Sequence, residues 1–349
     1  MRAFAYLSQG QAGWIEKEIP KPTGVDGVIR PLLVAPCTSD VHNVAINCLA
    51  PHRILGHEGL GEIVAVGEGD KDFQVGEIVV VPPVTPDWRT VPSQLGAHQH
   101  CSGLITGQKL SNSEDGLMAE YTLIRDLDAH AARIPPGVSW AGAVMAADML
   151  NTGLYGAQLA DVQPGDTVVV MGVGPVGLMA IAGARLRGAG RILAIGSRKA
   201  GVELARFYGA TDVLNYKEGD VTRQVYALTH KQGADCCICA GGGTEALGQA
   251  VAMVRWGGTV GNVNYFTTYG DLPVNNVRYG FGMGNKTIRG GECPGGRGRM
   301  EKLLALLQYG RVDPVPLITH RFQGLEQVET AFRLMAEKPP ELVKAVVAL

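Results

Sequence analysis

TVVVMGVGPVGLMAIAGARLRGAG, residues 167–190, is the stretch that decides the fold. Its apolar start, TVVVM, predicts a buried strand, and the apolar residues after the glycines predict a helix. Between the two, Gly172, Gly174 and Gly177 have the spacing G-x-G-x-x-G. Such glycines let the backbone approach a pyrophosphate, whose charge the helix N-terminus stabilises. A tight turn without a ligand is the alternative, but the flanking strand and helix favour a dinucleotide site.

Further strands follow this stretch, with helical segments between several of them. They are predicted in RILAIGSR (191–198), ATDVLNY (210–216), DCCICAG (235–241) and GTVGNVNY (258–265). Strands that alternate with helices at this spacing form βαβ units and therefore a parallel sheet. We expect an α/β domain with a doubly wound parallel sheet of the Rossmann type.

The residues before this domain are β-rich. Short strands between Gly/Pro turns are predicted in VDGVIRPLLVA (25–35), EGLGEIVAVG (58–67) and GEIVVVPP (76–83). Residues 84–116 have no sustained period and are expected to form a long surface excursion, which in a compact domain is usually functional or contact-forming.

The end of the chain shows a third pattern, with two helical faces and a last strand. The apolar positions of the two faces are Met300, Leu303, Leu304 and Leu307, then Leu325, Val328, Phe332 and Met335. The closing run LVKAVVAL predicts a strand that could rejoin the sheet of the first domain and make that domain discontinuous.

Composition limits the classes of function. A length of 349 residues predicts two domains, and 46% hydrophobic with 18% charged residues is ordinary for a globular protein. The net charge of −2 argues against nucleic acid or an anionic membrane as the main partner. No apolar run reaches the roughly 18 residues that span a bilayer, and the N-terminus lacks the apolar core of a signal peptide. Seven cysteines without framework spacing indicate reduced thiols and a cytoplasmic protein.

The second predicted strand of the Rossmann domain ends in Gly196, Ser197 and Arg198. A protein that prefers NAD usually has an acidic residue here, which holds the ribose 2′-hydroxyl. Glycine leaves space, serine donates a hydrogen bond and arginine attracts a phosphate, which favours NADP(H). The alternative is a surface arginine at a strand end.

A histidine and a glutamate stand side by side in the apolar stretch ILGHEGLGEIVAVG, residues 54–67. His57 and Glu58, with Cys37, are typical zinc ligands, and the alternative from the residues alone is a strand-edge histidine beside a solvent-exposed glutamate. A third ligand is needed, and Asp148 is a candidate because it lies in the apolar run AVMAADML. A helix-cap aspartate or a surface turn is the alternative for Asp148.

The whole chain resembles the medium-chain zinc-dependent alcohol dehydrogenases, most closely the tetrameric NADP-dependent bacterial secondary alcohol dehydrogenases. The matching pieces are GWIEKE (13–18), PCTSDVH (36–42), LGHEGLGEIV (55–64), TPDWR (85–89), GAGRILAIGSR (188–198), FYGATDVLNY (207–216), CPGGR (293–297) and the terminal LVKAVV. The resemblance implies a GroES-like catalytic domain over 1–151 and 293–349, a Rossmann domain over 152–292, and a homotetramer.

Carried over by position, the resemblance implies a catalytic zinc held by Cys37, His57 and Asp148. Glu58 would approach or transiently ligate the metal, Asp40 would orient His57 through its other ring nitrogen, and Ser39 and His42 would relay the proton. The implied cofactor-binding positions are Thr38, Thr152, Gly172, Gly174, Pro175, Val176, Gly177, Gly196, Ser197, Arg198, Tyr216, Val263, Asn264, Tyr265 and Lys338. The implied substrate pocket comprises Pro83, Val84, Ile105, Gln108, Tyr265, Glu292 and Cys293.

The sequence departs from the family at several positions. The lobe that holds a structural zinc in many relatives has four cysteines, whereas this chain has Cys101 alone there, so we expect no structural zinc. Gln108 stands where the secondary-alcohol subgroup has tryptophan, and Glu292 where it has an aliphatic residue. Both positions line the family's pocket, so a roomier and more polar pocket is expected.

The implied reaction is reversible hydride transfer between a secondary alcohol or ketone, or an aldehyde, and the nicotinamide, with one zinc as a Lewis acid. One rival is a zinc-free NADPH:quinone or enone reductase of the same fold, whose relatives lack the Cys/His/Asp set. Another is a non-catalytic dinucleotide-binding protein, which would need neither metal ligands nor a relay serine.

Overall fold

The computed structural model describes residues 1–266, 270–276 and 280–349. These residues form two compact units, which we call the first unit (Met1–Asp148 with Pro294–Leu349) and the second unit (Met149–Cys293). No helix in the described part of the chain is both long enough and apolar enough to cross a membrane.

Strands and helices are numbered along the chain. The strands are β1 (Arg2–Ser8), β2 (Gln11–Glu16), β3 (Gly27–Val34), β4 (Gly59–Val66), β5 (Ile78–Val81), β6 (Thr122–Ile124), β7 (Ala132–Arg133), β8 (Thr167–Met171), β9 (Arg191–Ile195), β10 (Asp212–Leu214), β11 (Ala234–Cys239), β12 (Val254–Asn262), β13 (Thr287–Gly290), β14 (Ile318–Gln323) and β15 (Lys344–Ala348). The helices are α1 (Thr38–Ile46), α2 (Val91–Gln94), α3 (Leu127–His130), α4 (Trp140–Met145), α5 (Asn151–Leu159), α6 (Pro175–Leu186), α7 (Lys199–Tyr208), α8 (Val221–Leu228), α9 (Ala246–Met253), α10 (Arg297–Gln308) and α11 (Val328–Glu337).

The first unit is built on a mixed sheet with the described strand order β14-β15-β3-β4-β5-β7, and β6 pairs with β3. The predicted return of the last strand to this sheet is confirmed, because Val347 of β15 lies opposite Val34 of β3 in antiparallel pairing. Apolar side chains of this sheet, of strand β1 in a separate two-stranded sheet, and of helix α11 form one buried core. Its members include Phe4, Ile29, Val34, Ile63, Val79, Val81, Phe332 and Val347.

The expected surface excursion over residues 84–116 is only partly on the surface. Most of it lacks regular structure apart from α2 and a short 3₁₀ turn, as its aperiodic sequence predicts. Leu110, however, belongs to the buried core, and Ser111 is fully buried and donates a hydrogen bond to Asp40. The prediction was wrong on this point because isolated buried residues in an aperiodic segment leave no repeating signal.

The second unit contains the predicted parallel sheet, with the described strand order β10-β9-β8-β11-β12-β13. All five pairings in it are parallel. The first strand in sequence therefore lies in the middle, with two strands on one side and three on the other, which is the doubly wound Rossmann order.

The glycine-rich turn joins β8 to α6 as the sequence predicts. Gly172 has φ +99°, a left-handed backbone conformation that residues other than glycine rarely adopt. Gly174 directly precedes the first residue of α6. A Cβ at Gly177 would lie 2.0 Å from the carbonyl oxygen of Gly172. The helix can therefore pack against its own strand only with glycine at this position.

Candidate metal centre and cofactor turn

Cys37, His57, Glu58 and Asp148 meet in the first unit. Each offers one donor atom, and these atoms all lie within 4.8 Å of one another. His57 is 2% exposed and Glu58 is fully buried, so the alternative of a solvent-exposed glutamate is wrong. The four residues that the sequence singles out as candidate ligands thus form one cluster.

The pairing of β3 with β4 brings Cys37 and His57 together although they are twenty residues apart. Val34 at the end of β3 lies opposite Gly59 at the start of β4, and the Ala35 amide donates to the Glu58 carbonyl oxygen at 2.9 Å. Neighbouring antiparallel strands place the end of one beside the start of the next. The sheet therefore fixes both residues at the same edge.

Asp148 lies on a π-helical turn, Ala146–Leu150, between α4 and α5. Such single turns within α-helices are rare and are frequent at functional sites. The carboxylate is 15% exposed, and its Oδ2 lies 3.6 Å from Nε2 of His57. Asp148 is therefore inside a continuous helical segment and faces the cluster, which excludes the helix-cap and surface-turn alternatives.

Asp40 holds the His57 ring from the side away from the cluster. His57 Nδ1 lies 3.1 Å from Asp40 Oδ1, which also accepts hydrogen bonds from Ser111 Oγ at 2.7 Å and from the Gly56 amide at 3.3 Å. Burial acts to raise the pKa of Asp40, but His57, the Ser111 hydroxyl and the Cys37 amide lower it below its ordinary value. An ionised Asp40 holds the proton on Nδ1, so the Nε2 lone pair faces the other donors.

Ser39 and His42 lie on helix α1, directly after Cys37. Ser39 Oγ is 3.4 Å from Nε2 of His57. His42 is half-buried, and burial together with the charge of Lys338 lowers its pKa below the ordinary value of 6.5. Its imidazole is therefore neutral at neutral pH and able to accept a proton.

A buried ion pair between Lys344 and Glu58 adjoins the cluster. Lys344 Nζ lies 2.5 Å from Glu58 Oε1, and the two side chains are 1% and 0% exposed. Glu58 Oε2 is also buried, and it has no hydrogen-bond partner. One oxygen of this carboxylate thus accepts a hydrogen bond from an ammonium group, and the other has no hydrogen-bond donor.

The charges of the cluster shift the pKa values of its members. Burial acts to raise the pKa of the Cys37 thiol, but Lys344 and His57 outweigh it and lower that pKa to about 7. Burial raises the pKa of Glu58 well above its ordinary value; Lys344 opposes this effect, and Cys37 and Asp148 add to it. Three acidic groups, the Cys37 thiol and the carboxyl groups of Glu58 and Asp148, therefore lie close together in one buried site.

In the second unit, Arg198 reaches back to the glycine-rich turn. A Cβ at Gly174 would lie 3.6 Å from Nη2 of Arg198, which is ordinary contact distance. A Cβ at Gly196 would lie 2.2 Å from a methyl group of Val173, so this glycine is also required by packing. Ser197, which stands between Gly196 and Arg198 in the sequence, is half-buried. Tyr216 follows β10 and is 56% exposed.

The remaining predicted positions lie at the ends of elements or in loops. Thr38 starts α1, and Lys338 ends α11 in a left-handed conformation with φ 50°. Pro83 and Val84 follow β5, and Ile105 and Gln108 lie in the excursion, where the Gln108 amide donates to the Ile105 carbonyl oxygen at 3.2 Å. In the second unit the positions are Thr152 in α5, Pro175 and Val176 at the start of α6, Val263, Asn264 and Tyr265 after β12, and Glu292 and Cys293 after β13.

Comparison with known proteins gives full-length relatives. Residues 25–136 match the family described as Alcohol dehydrogenase GroES-like domain, and residues 175–308 match Zinc-binding dehydrogenase. The chain is 51% identical to an NADP-dependent isopropanol dehydrogenase of Thermoanaerobacter brockii and 50% identical to one of Clostridium beijerinckii, over 100% of each chain. A solved structure, alcohol dehydrogenase TADH from Thermus sp. ATN1, has a TM-score of 0.86 at 29% identity, covering 100% of this chain and 99% of that one.

The chain belongs to the zinc-binding alcohol dehydrogenases. Two family models match successive parts of the chain, and about half of all residues are identical to those of curated relatives over the full length. These findings confirm the resemblance seen in the sequence. The same comparisons confirm the α/β fold with a GroES-like domain and a Rossmann-type sheet.

The cluster in this zinc-binding alcohol dehydrogenase fits a divalent metal. Thiolate, imidazole and carboxylate are the donor types that zinc prefers. Three acidic side chains lie close together in a buried site beside the Lys344 ammonium group, and Glu58 Oε2 lacks a hydrogen bond. Uncompensated buried charge is costly, and a bound cation removes this cost.

Sequence reasoning missed two residues of this alcohol dehydrogenase's centre. Lys344 carried a signal, because a lysine inside the apolar run LVKAVVAL has to find a partner if the run is buried. Ser111 carried none, since a serine in an aperiodic polar segment is ordinary. Its hydrogen bond to Asp40 appears only when the excursion is folded.

Proposed function

We propose that this zinc-binding alcohol dehydrogenase interconverts secondary alcohols and ketones with NADP(H), and uses one zinc per chain. The observation that carries the proposal is the buried cluster of Cys37, His57 and Asp148, whose donor atoms lie within 4.8 Å of one another beside Glu58. Full-length relatives named NADP-dependent isopropanol dehydrogenases support the substrate class and the cofactor.

The residues of the centre have distinct roles in this proposal. When bound, zinc supplies Lewis acidity towards the substrate oxygen, and NADP(H) supplies the hydride chemistry. Cys37, His57 and Asp148 would hold the metal, and Asp40 keeps the Nε2 of His57 free for it. Ser39 would take the proton of the alcohol hydroxyl and His42 would pass it towards solvent, a role that its lowered pKa supports.

For the cofactor, we propose that the β8–α6 turn receives the pyrophosphate and that Arg198 binds the 2′-phosphate. Gly172, Gly174 and Gly177 keep the turn free of side chains at the N-terminus of α6. The guanidinium of Arg198 is already beside Gly174. A guanidinium suits a phosphate because it can form charge-assisted, bidentate hydrogen bonds.

The expected substrate range depends on two positions of the implied pocket. Gln108 and Glu292 are polar where the related subgroup has bulky or apolar residues, so we expect bulkier or functionalised ketones, and aldehydes, to be accepted beside small ones.

The proposed domains are the catalytic domain over 1–151 with 293–349 and the dinucleotide-binding domain over 152–292. The cytoplasm is the proposed compartment, because the seven cysteines have no framework spacing.

We also propose a homo-oligomer, and on the resemblance a tetramer. Strand β13 lies at the edge of the described parallel sheet. Trp256 is 79% exposed, and Met283 is fully exposed. A ring atom of Trp256 would lie 3.3 Å from a Cβ at Gly284, so Trp256 lies beside the segment that contains Met283. An edge strand together with exposed apolar side chains is typical of a surface that pairs with another chain.

Removing the Asp148 carboxylate tests the proposed function. Asp148→Ala leaves an incomplete ligand set, so we expect loss of zinc by elemental analysis and loss of NADPH-dependent acetone reduction, with an unchanged circular dichroism spectrum. Glu203→Ala, which removes an exposed carboxylate on α7, serves as the control and should retain both. Undiminished acetone reduction by Asp148→Ala would contradict the proposal and favour a zinc-free reductase of the same fold.

A further inference from the structure

Ser111 is a buried serine with a strained backbone, and it lies beside the proposed metal centre. Its side chain is fully buried, and its φ of +67° is in the left-handed region, which few residues other than glycine, asparagine and aspartate adopt. Such a conformation costs free energy and persists only where the surrounding contacts enforce it, which is common at functional sites. The contacts around Ser111 therefore need an explanation.

Two adjacent side chains of this turn bind the same face of helix α1. Ser111 Oγ donates to Asp40 Oδ1 at 2.7 Å, and the next residue, Asn112, accepts a hydrogen bond at its Oδ1 from Asn43 Nδ2 at 3.1 Å. Asp40 and Asn43 are three positions apart on α1 and are both buried, so they lie on one face of the helix. Successive side chains of an extended chain point to opposite sides. The left-handed conformation of Ser111 allows both side chains to reach α1.

The carboxylate of Asp40 is held by donors from different parts of the chain. Its Oδ2 accepts from the Cys37 amide at 3.2 Å and its Oδ1 from the Gly56 amide at 3.3 Å, and both amides belong to segments that carry proposed metal ligands. The Ser111 hydroxyl is closer, at 2.7 Å, and comes from 71 positions away. Ser111 therefore joins the carboxylate to a segment that carries none of the proposed ligands.

We propose that Ser111 is a positioning residue of the metal centre: its hydroxyl fixes the Asp40 carboxylate, which in turn orients the ring of His57 towards the metal. This inference rests on the proposed zinc site. His57 Nδ1 lies 3.1 Å from the same Asp40 oxygen that Ser111 binds. The partner of a ligating histidine sets the orientation of the ring and its strength as a ligand, so a carboxylate that is free to turn would bind the metal through His57 less firmly.

The variants Ser111→Gly and Ser111→Ala separate the hydroxyl from the backbone. Both remove the hydroxyl, but glycine adopts a positive φ without strain, whereas alanine does not. A merely structural turn would be disturbed more by alanine than by glycine and would leave the metal unaffected. The test uses the full chain with Co²⁺ in place of zinc, because Co²⁺ has a visible spectrum that reports its ligands.

In both variants we expect a changed Co²⁺ spectrum and release of the metal to a chelator that is about three- to tenfold faster than in the wild type. This is less than the roughly 10–100-fold cost of losing a ligand's own partner, because Ser111 is one contact further from the metal. Ser113→Gly removes an exposed serine of the same segment and is the matched control, which should keep the spectrum and release rate of the wild type.

A double variant tests whether Ser111 acts through Asp40. Once Asp40→Ala has removed the carboxylate, adding Ser111→Gly should not accelerate release of Co²⁺ any further. An equal further acceleration would overturn the inference, and so would a spectrum and release rate of the wild type in Ser111→Gly. A Ser111→Gly chain that fails to fold would assign the serine a structural role instead, since glycine fits this backbone. Failure of the wild type to take up Co²⁺ would overturn the proposed metal site itself.

Discussion

The guanidinium of Arg198 is the group on which the cofactor preference is expected to depend. It approaches the β8–α6 turn, since a Cβ at Gly174 would lie 3.6 Å from its Nη2. Hydrogen bonds to a charged group contribute roughly 1.5–3 kcal/mol, which corresponds to a factor of roughly 10 to 150 in affinity. Arg198→Ala should therefore lower kcat/KM for NADPH by about that factor and leave the value for NADH nearly unchanged.

The control for this prediction is Arg223→Ala, which removes an arginine of the same unit whose side chain is 89% exposed. Steady-state kinetics with one ketone gives kcat/KM for NADPH and for NADH in the wild type, Arg198→Ala and Arg223→Ala. An equal loss with NADPH and NADH in Arg198→Ala would show that the arginine does not read the 2′-phosphate. Gly196 is not a useful site for the same test, because a larger residue there would collide with Val173 before it met the cofactor.

The candidate ligands could be predicted residue by residue, but their arrangement could not. Cys37, His57 and Asp148 are recognisable because their chemistry is unusual for their surroundings and because the chain resembles a known family. The ion pair of Lys344 with Glu58 could not be read from the sequence, since 286 positions separate the two residues. Which buried lysine meets which buried carboxylate is decided by strand pairing across the sheet.

Among the elements, the β8–α6 turn was predictable to the residue and the helix that carries Asp148 was not. G-x-G-x-x-G after an apolar run leaves few alternatives, because Gly172 needs a left-handed backbone and Gly177 has no room for a Cβ. The π-helical turn over Ala146–Leu150 has no comparable sequence signal. Its extra residue is stabilised by tertiary packing around it, and a local pattern does not contain that information.

The glycines of this turn make two different predictions. In Gly177→Ala the new Cβ would meet a backbone oxygen at 2.0 Å, so we expect a loss of about 1–3 kcal/mol or more in the free energy of unfolding. In Gly174→Ala the nearest atom is at ordinary contact distance and φ is −82°, so stability should change by less than about 0.5 kcal/mol. Its Cβ would nevertheless occupy the place where the phosphate is proposed to approach, and KM for NADPH should rise.

Denaturant unfolding and NADPH kinetics on both variants check this pair. Each alanine serves as the control for the other, because the two glycines are three positions apart in one turn. A stable Gly177→Ala would contradict the close packing of α6 on its strand. An unaltered KM for NADPH in Gly174→Ala would contradict the proposed pyrophosphate position.

In the molecule as a whole, the first unit builds its centre from distant parts of the chain. Cys37 and His57 come from the edge of the β3–β4 pair, Asp148 from the end of the first segment, and Lys344 from the last strand, which pairs with β3 and β14. The sequence suggested this return of β15, because the closing run is apolar and follows an amphipathic helix. A bound metal therefore links segments that are far apart in sequence, so its removal should destabilise the first unit as well as abolish activity.

A zinc titration of the metal-free wild type, followed by NADPH-dependent reduction of acetone, tests the central claim most directly. Because one cluster supplies Cys37, His57 and Asp148 as ligands, activity should be absent without metal, rise in proportion to added zinc, and level off at one zinc per chain. Full activity in the metal-free protein, or a rise that continues to two zincs per chain, would contradict the account.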